Sequence, residues 1–478
     1  MMTELWTQDA TELGRRVANG TVTAREVIEA HLDRISQVNP KLNAIVVPLG
    51  EPALRMADGV DRAIAKGEKL GPLAGVPITI KENIDYAGTA TTQGVSALAD
   101  AVPDQNAPIV DRMLAAGAIP IGRTNLPDMA LRLHTDSSLH GPTLNPWNSD
   151  YTPGGSSGGE AVALATGMSV VGLGNDLGGS LRNPASCCGI ATIKPTQGVV
   201  PFVATVPSDQ MPISFQLMAS DGPMARHVAD VRLGLNVLAG YHPRDPNSFN
   251  AQFTAVDRPL KIAVMAEPLG GTVDPRIADV TRHAGRALEV AGCTVEEASP
   301  PELEGLVELW FRLIANDLSL AFADLQQVMS EDAARGVEDI LRDRPAADAA
   351  SYAEALMLRY SIAREWTSFF GEYDLLLSPT WTSLPFRTGW DLETTGRMTK
   401  TLRQARCVMP GNVLGLPSAS VPAGLVEGLP VGVLLTGNRF SDHLCLDAAE
   451  LVERAMGVTT PIDPLMMHRS DDNFGITT

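Results

Sequence analysis

Residues 153–167 read PGGSSGGEAVALATG: two serines between two pairs of glycines, then an unbroken helical run. No other stretch restricts the fold as tightly. A side-chain-poor loop that opens a helix presents backbone N–H groups at the helix's positive end, where negative charge is favoured. Three motifs can be tested on it. A phosphate-binding loop needs Lys then Ser or Thr after its last glycine; here Glu160 and Ala161 follow, so ATP is excluded. The neighbouring GLGNDL (172–177) begins like a dinucleotide-binding turn, but Leu177 stands where the third glycine belongs. The third motif is met to the letter. Gly155-Ser156-Ser157-Gly158-Gly159 satisfies G-x-S-x-G, the strand-to-helix elbow of α/β-hydrolase esterases, with Ser157 as nucleophile. That reading needs a histidine, and His227, His242, His283, His443 and His468 sit in contexts that lend it no support.

The rest of the chain alternates helix and strand. Ile28, Leu32 and Ile35 stripe a helix within 9–38 that Asn39-Pro40 ends. LNAIVVPL (42–49) is a strand, 51–67 a helix closed by Gly67, and GVPITIKENID (75–85) a β-branched strand carrying Lys81 near its end. Residues 108–125 make a helix–strand step, and VVGLGND (170–176) and GIATIKPT (189–196) are buried strands. Residues 302–370 turn helical and acidic before strands resume at 373–380 and 429–437, and 441–456 closes as helix. This is α/β architecture with a helical insertion, read as one domain over 1–478 because no Pro-, Gly- or Ser-rich linker divides it.

Apolar residues make up 44% of the chain, enough for a large core. The net charge of −19 gives a surface that repels phosphate backbones, so nucleic acid is not an expected partner. Five cysteines without CxxC or Cys/His spacing support neither a disulfide framework nor a metal site. The N-terminus lacks the apolar core of a signal peptide, and no apolar run approaches ~18 residues, so a cytoplasmic protein without a membrane anchor is expected.

A lysine leaving a buried strand needs a reason. Alone, Lys81 is a surface lysine with a snorkelling stem. It is not alone. GNDLGGSLRNPA (174–185) places Ser180 after two glycines, where the amides of Leu177, Gly178, Gly179 and Ser180 can converge on one developing oxyanion. Together these motifs resemble the amidase signature family, whose hallmark is a Ser–cis-Ser–Lys triad. The family's lysine motif matches Lys81 in GVPITIKENI, its bridging serine Ser156 in PGGSSGGE, and its nucleophile Ser180 in DLGGSLR. The likeness continues through DATELGRRVANGTVTAREVIEAHLDRI, NPWNSDYTPGGSSGG, GIATIKPT, DGPMAR and GLPSASVPAGLVEGLPVGVLLTG, and is weakest over 200–217 and 245–400.

The resemblance implies a single amidase domain: a mixed central β-sheet flanked by α-helices on both faces, a signature core at about 70–230, and a variable helical insertion at about 302–370. It implies hydrolysis of a non-peptide C–N bond in which Ser180 attacks, Ser156 relays the proton and Lys81 is the base. A cis peptide precedes Ser156, and no cofactor or metal takes part. Lysine serves as a base only when neutral. Starting from about 10.4, its pKa must fall by roughly three units, which burial among Val76, Ile78, Ile80 and Ile84 would supply. Asp176 and Arg182 are expected to brace the Ser180 loop, and Ser157 to bond within its own loop or cap the helix. Cys187 and Cys188 are expected as small buried residues beneath that loop, and Trp147 as packing. His134 and His140 lie on the approach.

The segments that depart most from the family carry Met129, Leu131, Leu133, His134, Phe202, Met211, Phe215 and Trp381, which suggests a pocket for a small hydrophobic or aryl amide, with carbamate or ester as further substrates. Two rivals come with the family. The ammonia-supplying component of a glutamine-dependent tRNA amidotransferase is disfavoured by KPTQGVVPFVATVPSDQMPISFQ, which replaces a Tyr- and Gly-rich segment, and by Leu177 in place of threonine. A non-catalytic binding protein is disfavoured by the intact Lys81, Ser156 and Ser180. The sequence is silent on oligomeric state, and a homodimer is left open.

Overall fold

The computed structural model describes residues 4–342, 344 and 347–464, so His468 and three positions of the expected insertion (343, 345 and 346) lie outside the described residues. Among the described residues thirteen strands follow in chain order. The first seven are β1 (Ile45–Pro48), β2 (Pro77–Lys81), β3 (Ile119–Thr124), β4 (Asp136–Ser137), β5 (Gly141–Pro142), β6 (Val171–Asp176) and β7 (Ala191–Lys194). The others are β8 (Ser220–Ala225), β9 (Lys261–Val264), β10 (Thr294–Glu297), β11 (Leu375–Pro379), β12 (Ser418–Val426) and β13 (Leu429–Gly437). Eleven of them form one sheet in the order β1-β3-β2-β6-β8-β7-β12-β13-β11-β9-β10, while β4 and β5 pair by themselves. The sheet is mixed: β2 runs parallel to both β3 and β6, and β8 is antiparallel to both β6 and β7.

β2, β3 and β6 lie inside the sheet and are buried almost throughout, which is why they read as apolar runs without alternation. Helices flank the sheet. The helix Gly158–Ala165 is wholly buried, as its row of alanine, valine and leucine requires. The expected insertion is three helices, Leu303–Val328, Glu331–Arg342 and Ala349–Glu372. Their apolar faces, with Leu306, Phe311, Val337 and Trp366, enclose a second core of their own.

Two local readings change. The stretch 9–38 is two helices, Ala10–Ala18 and Ala24–Leu42, separated at a capping box in which Thr23 and Glu26 satisfy each other's backbone N–H groups. Pro40 does not end the second. It sits in the last turn, and the helix runs on to Leu42, with Asn43 in the left-handed region at φ 53°. Strands β8, β9, β10 and β12 are not foreseen by the sequence pattern. In β8 the residues SDGPMA hold no β-branched side chain, yet all six are buried in the middle of the sheet.

Candidate active site

Lys81 ends β2 and is completely buried, above a strand whose Ile78 and Ile80 are also sealed from solvent. Its Nζ lies 2.6 Å from Ser156 Oγ and 2.8 Å from Asn175 Oδ1 at the end of β6. Burial pushes its pKa down to about 7, against the upward pull of Asp176, Asp221 and Glu160. Glu160, on the buried helix Gly158–Ala165, is pushed up to about 7 by the same burial, although Thr79 and Thr124 both donate hydroxyls to it. Burial thus favours the neutral form that a lysine base would need.

Ser156 is held by a loop with almost no freedom. The Gly155–Ser156 peptide is cis. Thr135 Oγ1 donates to Gly154 O at 2.9 Å and accepts from Gly158 N at 3.1 Å, clamping both ends. A Cβ on Gly155 would stand 2.8 Å from the backbone of Arg132, Leu133 and His134, so only glycine fits there. Ser157 occupies the N-cap position but makes no side-chain cap bond. It is fully buried, its hydroxyl 3.5 Å from Asn175 O and its N–H bonded to Ser180 O at 3.2 Å.

Ser180 stands on the second glycine loop, where β6 gives way to the helix Arg182–Cys188. Its hydroxyl has no hydrogen-bond partner among the described residues, and no bond joins it to Ser156; both serines face the same cavity. The loop is fixed from beneath. Arg182 grips Asp176 with two bonds of 2.8 and 2.9 Å, both side chains sealed from solvent, and also donates to Val408 O and Asn412 Oδ1. Burial alone would raise the Asp176 carboxyl, but Arg182, Asn412 and the Gly179 N–H hold it well below the usual carboxylate range. One bond corrects the expected oxyanion site. The Gly179 N–H is turned away onto Asp176 Oδ1 at 2.8 Å, leaving the N–H groups of Leu177, Gly178 and Ser180 without acceptors among the described residues. Gly178 must be glycine, because a Cβ there would come within 2.5 Å of Trp310, whose Nε1 donates to Leu177 O.

Arg182→Met leaves Asp176 buried without its counterion, so a loss of about 3–5 kcal/mol is expected. Urea unfolding measures it, and a change under about 1 kcal/mol would show that the pair is not what holds this loop.

The cavity above these groups encloses about 270 Å³. Of the expected pocket residues, Met129, Leu131, Phe202, Met211 and Phe215 line it, together with Ser156, Leu177 and Ser180. Leu133, His134 and Trp381 do not. Leu133 is buried in the second core, while His134 bonds Thr152 Oγ1 at 2.9 Å behind the Ser156 loop. Burial lowers the His134 pKa to about 4, so its ring is neutral. Trp381 is buried against its own Ser383 beside Cys187 and Pro430. His140 pairs with Glu82, and Trp147 packs with its Nε1 on Cys188 O. Cys188 lies under the glycine loop, its Sγ 3.3 Å from Pro153 O. Four residues of the site escape a reading of the sequence. Asn175 and Asn83 bond each other beside Lys81, Asp221 lies opposite Asn175 on β8, and Asn412 arrives from 230 residues beyond Arg182.

Comparison with known proteins places the chain. Residues 26–446 match the amidase family. The chain is 41% identical over 458 residues to an indoleacetamide hydrolase of Bradyrhizobium diazoefficiens, covering 95% of this chain and 87% of that one. It is 36% identical over 416 residues to an indoleacetamide hydrolase of Bradyrhizobium japonicum, covering 84% and 89%. A solved bacterial aryl acylamidase of the amidase signature enzymes superposes with a TM-score of 0.84 at 30% identity, over 96% of this chain and 98% of the other. Fold and relatives together define an amidohydrolase. The chain belongs to the amidase signature family. Among the described residues no helix is long and apolar enough to cross a membrane.

Proposed function

We propose that this enzyme hydrolyses the carboxamide of a small aromatic acid, of the arylacetamide type, through an acyl-enzyme on Ser180. The observation that carries the reading is the junction of two environments. A largely apolar cavity of about 270 Å³ opens directly onto Ser180 and Ser156, with a desolvated lysine 2.6 Å behind Ser156. The relatives named for indoleacetamide and aryl acylamide support the aromatic choice.

In the proposed cycle the Ser180 hydroxyl attacks the carbonyl carbon. Its proton passes to Ser156, whose own proton moves to neutral Lys81. The carbonyl oxygen becomes an oxyanion held by the N–H groups of Leu177, Gly178 and Ser180. The C–N bond then breaks as the relay runs backwards, delivering the proton to the leaving nitrogen, and ammonia departs from a primary amide. Water, deprotonated through the same relay, attacks the ester carbon and releases the acid, returning the proton to Ser180. No cofactor enters. The same acyl-enzyme would accept esters and carbamates, whose leaving groups need no more than that proton. The proposal extends to a single-domain cytoplasmic enzyme, with a homodimer compatible with it.

A substrate panel tests the reading. Indole-3-acetamide and phenylacetamide are expected to be hydrolysed with kcat/KM at least about tenfold above acetamide, because the apolar walls reward each buried carbon. Ammonia release measures it. Equal rates on acetamide, or ammonia from glutamine alone and only with added partner proteins, would replace this reading with a small-amide hydrolase or a component of an amidotransferase.

A further inference from the structure

Besides the polar groups around the serines, among them Asn83, Asn175 and Asp221, the cavity wall carries a carboxylate on the helical insertion. The helix Leu303–Val328 presents Ile314, Asp317, Leu318, Ala321 and Leu325 to the cavity, a spacing that puts all five on one face. Asp317 is the one acidic residue among the five. Its Oδ2 accepts from Ser214 N at 2.7 Å, and no other hydrogen bond engages its carboxyl among the described residues. Ser214 lines the same cavity and is fully buried, yet its hydroxyl has no partner among the described residues. The Tyr352 hydroxyl, from the helix Ala349–Glu372, is likewise buried without a partner among them, and burial with Asp317 nearby raises its pKa to about 12. A buried hydroxyl without a partner is unfavourable and uncommon, so Ser214 at the cavity wall, beside a carboxylate with one oxygen free among the described residues, points to a ligand group that completes them; Tyr352 does not line the cavity.

Position gives that group its place. Trp310, on the same helix, touches the Ser180 loop through Leu177 O. Asp317 stands seven residues further along, roughly 10 Å at the helical rise. The same cavity is lined by the apolar side chains Ile314, Leu318, Met129, Phe202 and Phe215. The cavity thus combines the serines, apolar walls and a hydrogen-bond acceptor set two helical turns from the residue that touches the Ser180 loop. Both contributing segments, 201–217 and 302–370, are those where the likeness to the family is weakest.

We propose that Asp317 and Ser214 form a specificity subsite for a hydrogen-bond donor on the ring of the acyl group, an indole-type N–H or a phenolic O–H. It rests on the reading that the cavity holds an aromatic acyl group. A ring that brings no donor leaves the buried Ser214 hydroxyl and the partly buried Asp317 carboxyl without that partner, and a site built to hydrogen-bond its ligand discriminates more sharply than an apolar pocket does.

Binding to Ser180→Ala enzyme, followed by titration calorimetry, tests this without turnover. The probes are indole-3-acetamide and 1-methylindole-3-acetamide, which differ in the ring N–H. The N–H compound is expected to bind about tenfold or more tightly. In Asp317→Leu that ratio should fall towards one, whereas Asp317→Asn, which keeps an acceptor oxygen, should retain part of it. Ser214→Ala, whose backbone N–H still bonds Asp317, should lower the ratio about threefold and serves if Asp317→Leu does not fold. Equal affinity for the two probes, or a ratio that persists in Asp317→Leu, would overturn the subsite and leave the aromatic reading standing. Failure of both probes to bind would remove both.

Discussion

Ser180→Ala is expected to lower kcat on a primary aryl amide by on the order of 10⁴-fold or more, the scale seen when a serine hydrolase loses its nucleophile. The structure says why such a loss would be chemical and not structural. The Ser180 hydroxyl engages no partner among the described residues, so its removal breaks no bond, and its loop is held by Asp176, Arg182 and Asn412 instead. Thermal unfolding of the variant should therefore match wild type within a few degrees. Ser157 gives the contrast. It lies beside Ser156 in the same GSSGG stretch but is sealed behind the loop, 3.5 Å from a backbone carbonyl, and does not line the cavity. Ser157→Ala should keep turnover within about tenfold. Rapid quench with an aryl ester should trap an acyl adduct on Ser180. A dead Ser157→Ala beside an active Ser180→Ala would move the nucleophile to the elbow serine and end the present mechanism.

That contrast shows what a linear reading can and cannot reach. Lys81, Ser156 and Ser180 are recoverable because each sits in a context that ordinary surface residues do not share: a charged group at the end of PITIK, and serines inside runs of glycine. The strands around them are recoverable where burial on both faces leaves apolar runs, as in β2, β3 and β6. β8 is not, because its place in the middle of the sheet is set by its neighbours and not by its own residues. The same holds for the supports of the site. Asn175 and Asn412 are ordinary asparagines in the sequence; only the pairing of β6 with β2 makes the first a partner of Lys81, and only the meeting of β6 with a segment more than 230 residues away makes the second a brace of Asp176. The pocket residues are misjudged in one direction. Leu133, His134 and Trp381 are large and apolar or aromatic, but those properties suit a core as well as a cavity, and the core took them.

Lys81→Met should cost on the order of 10³-fold or more in kcat/KM, and the loss should carry a signature in pH. In wild type the base must be neutral, and a lysine is charged below its pKa. With that pKa pushed down to about 7 by burial, kcat/KM is expected to fall about tenfold per pH unit below 7 and to level off above it. The sign is opposite to that of a lysine acting as a cation, which would work below 7 and fade above. Lys81→Met removes the titrating group while preserving length and apolar bulk, so its residual rate should show no inflection near 7. Folding should not suffer. Charging Lys81 inside a fully buried site opposes the native state, so a methionine there should leave thermal stability equal or higher below pH 7, even with Ser156 and Asn175 each losing one bond. An acid limb that survives in Lys81→Met belongs to another group, and Glu160, also about 7, is the first to examine by Glu160→Gln. A wild-type profile flat from pH 6 to 8 would mean that Lys81 is not the base, and the 2.6 Å contact with Ser156 would then be a structural one.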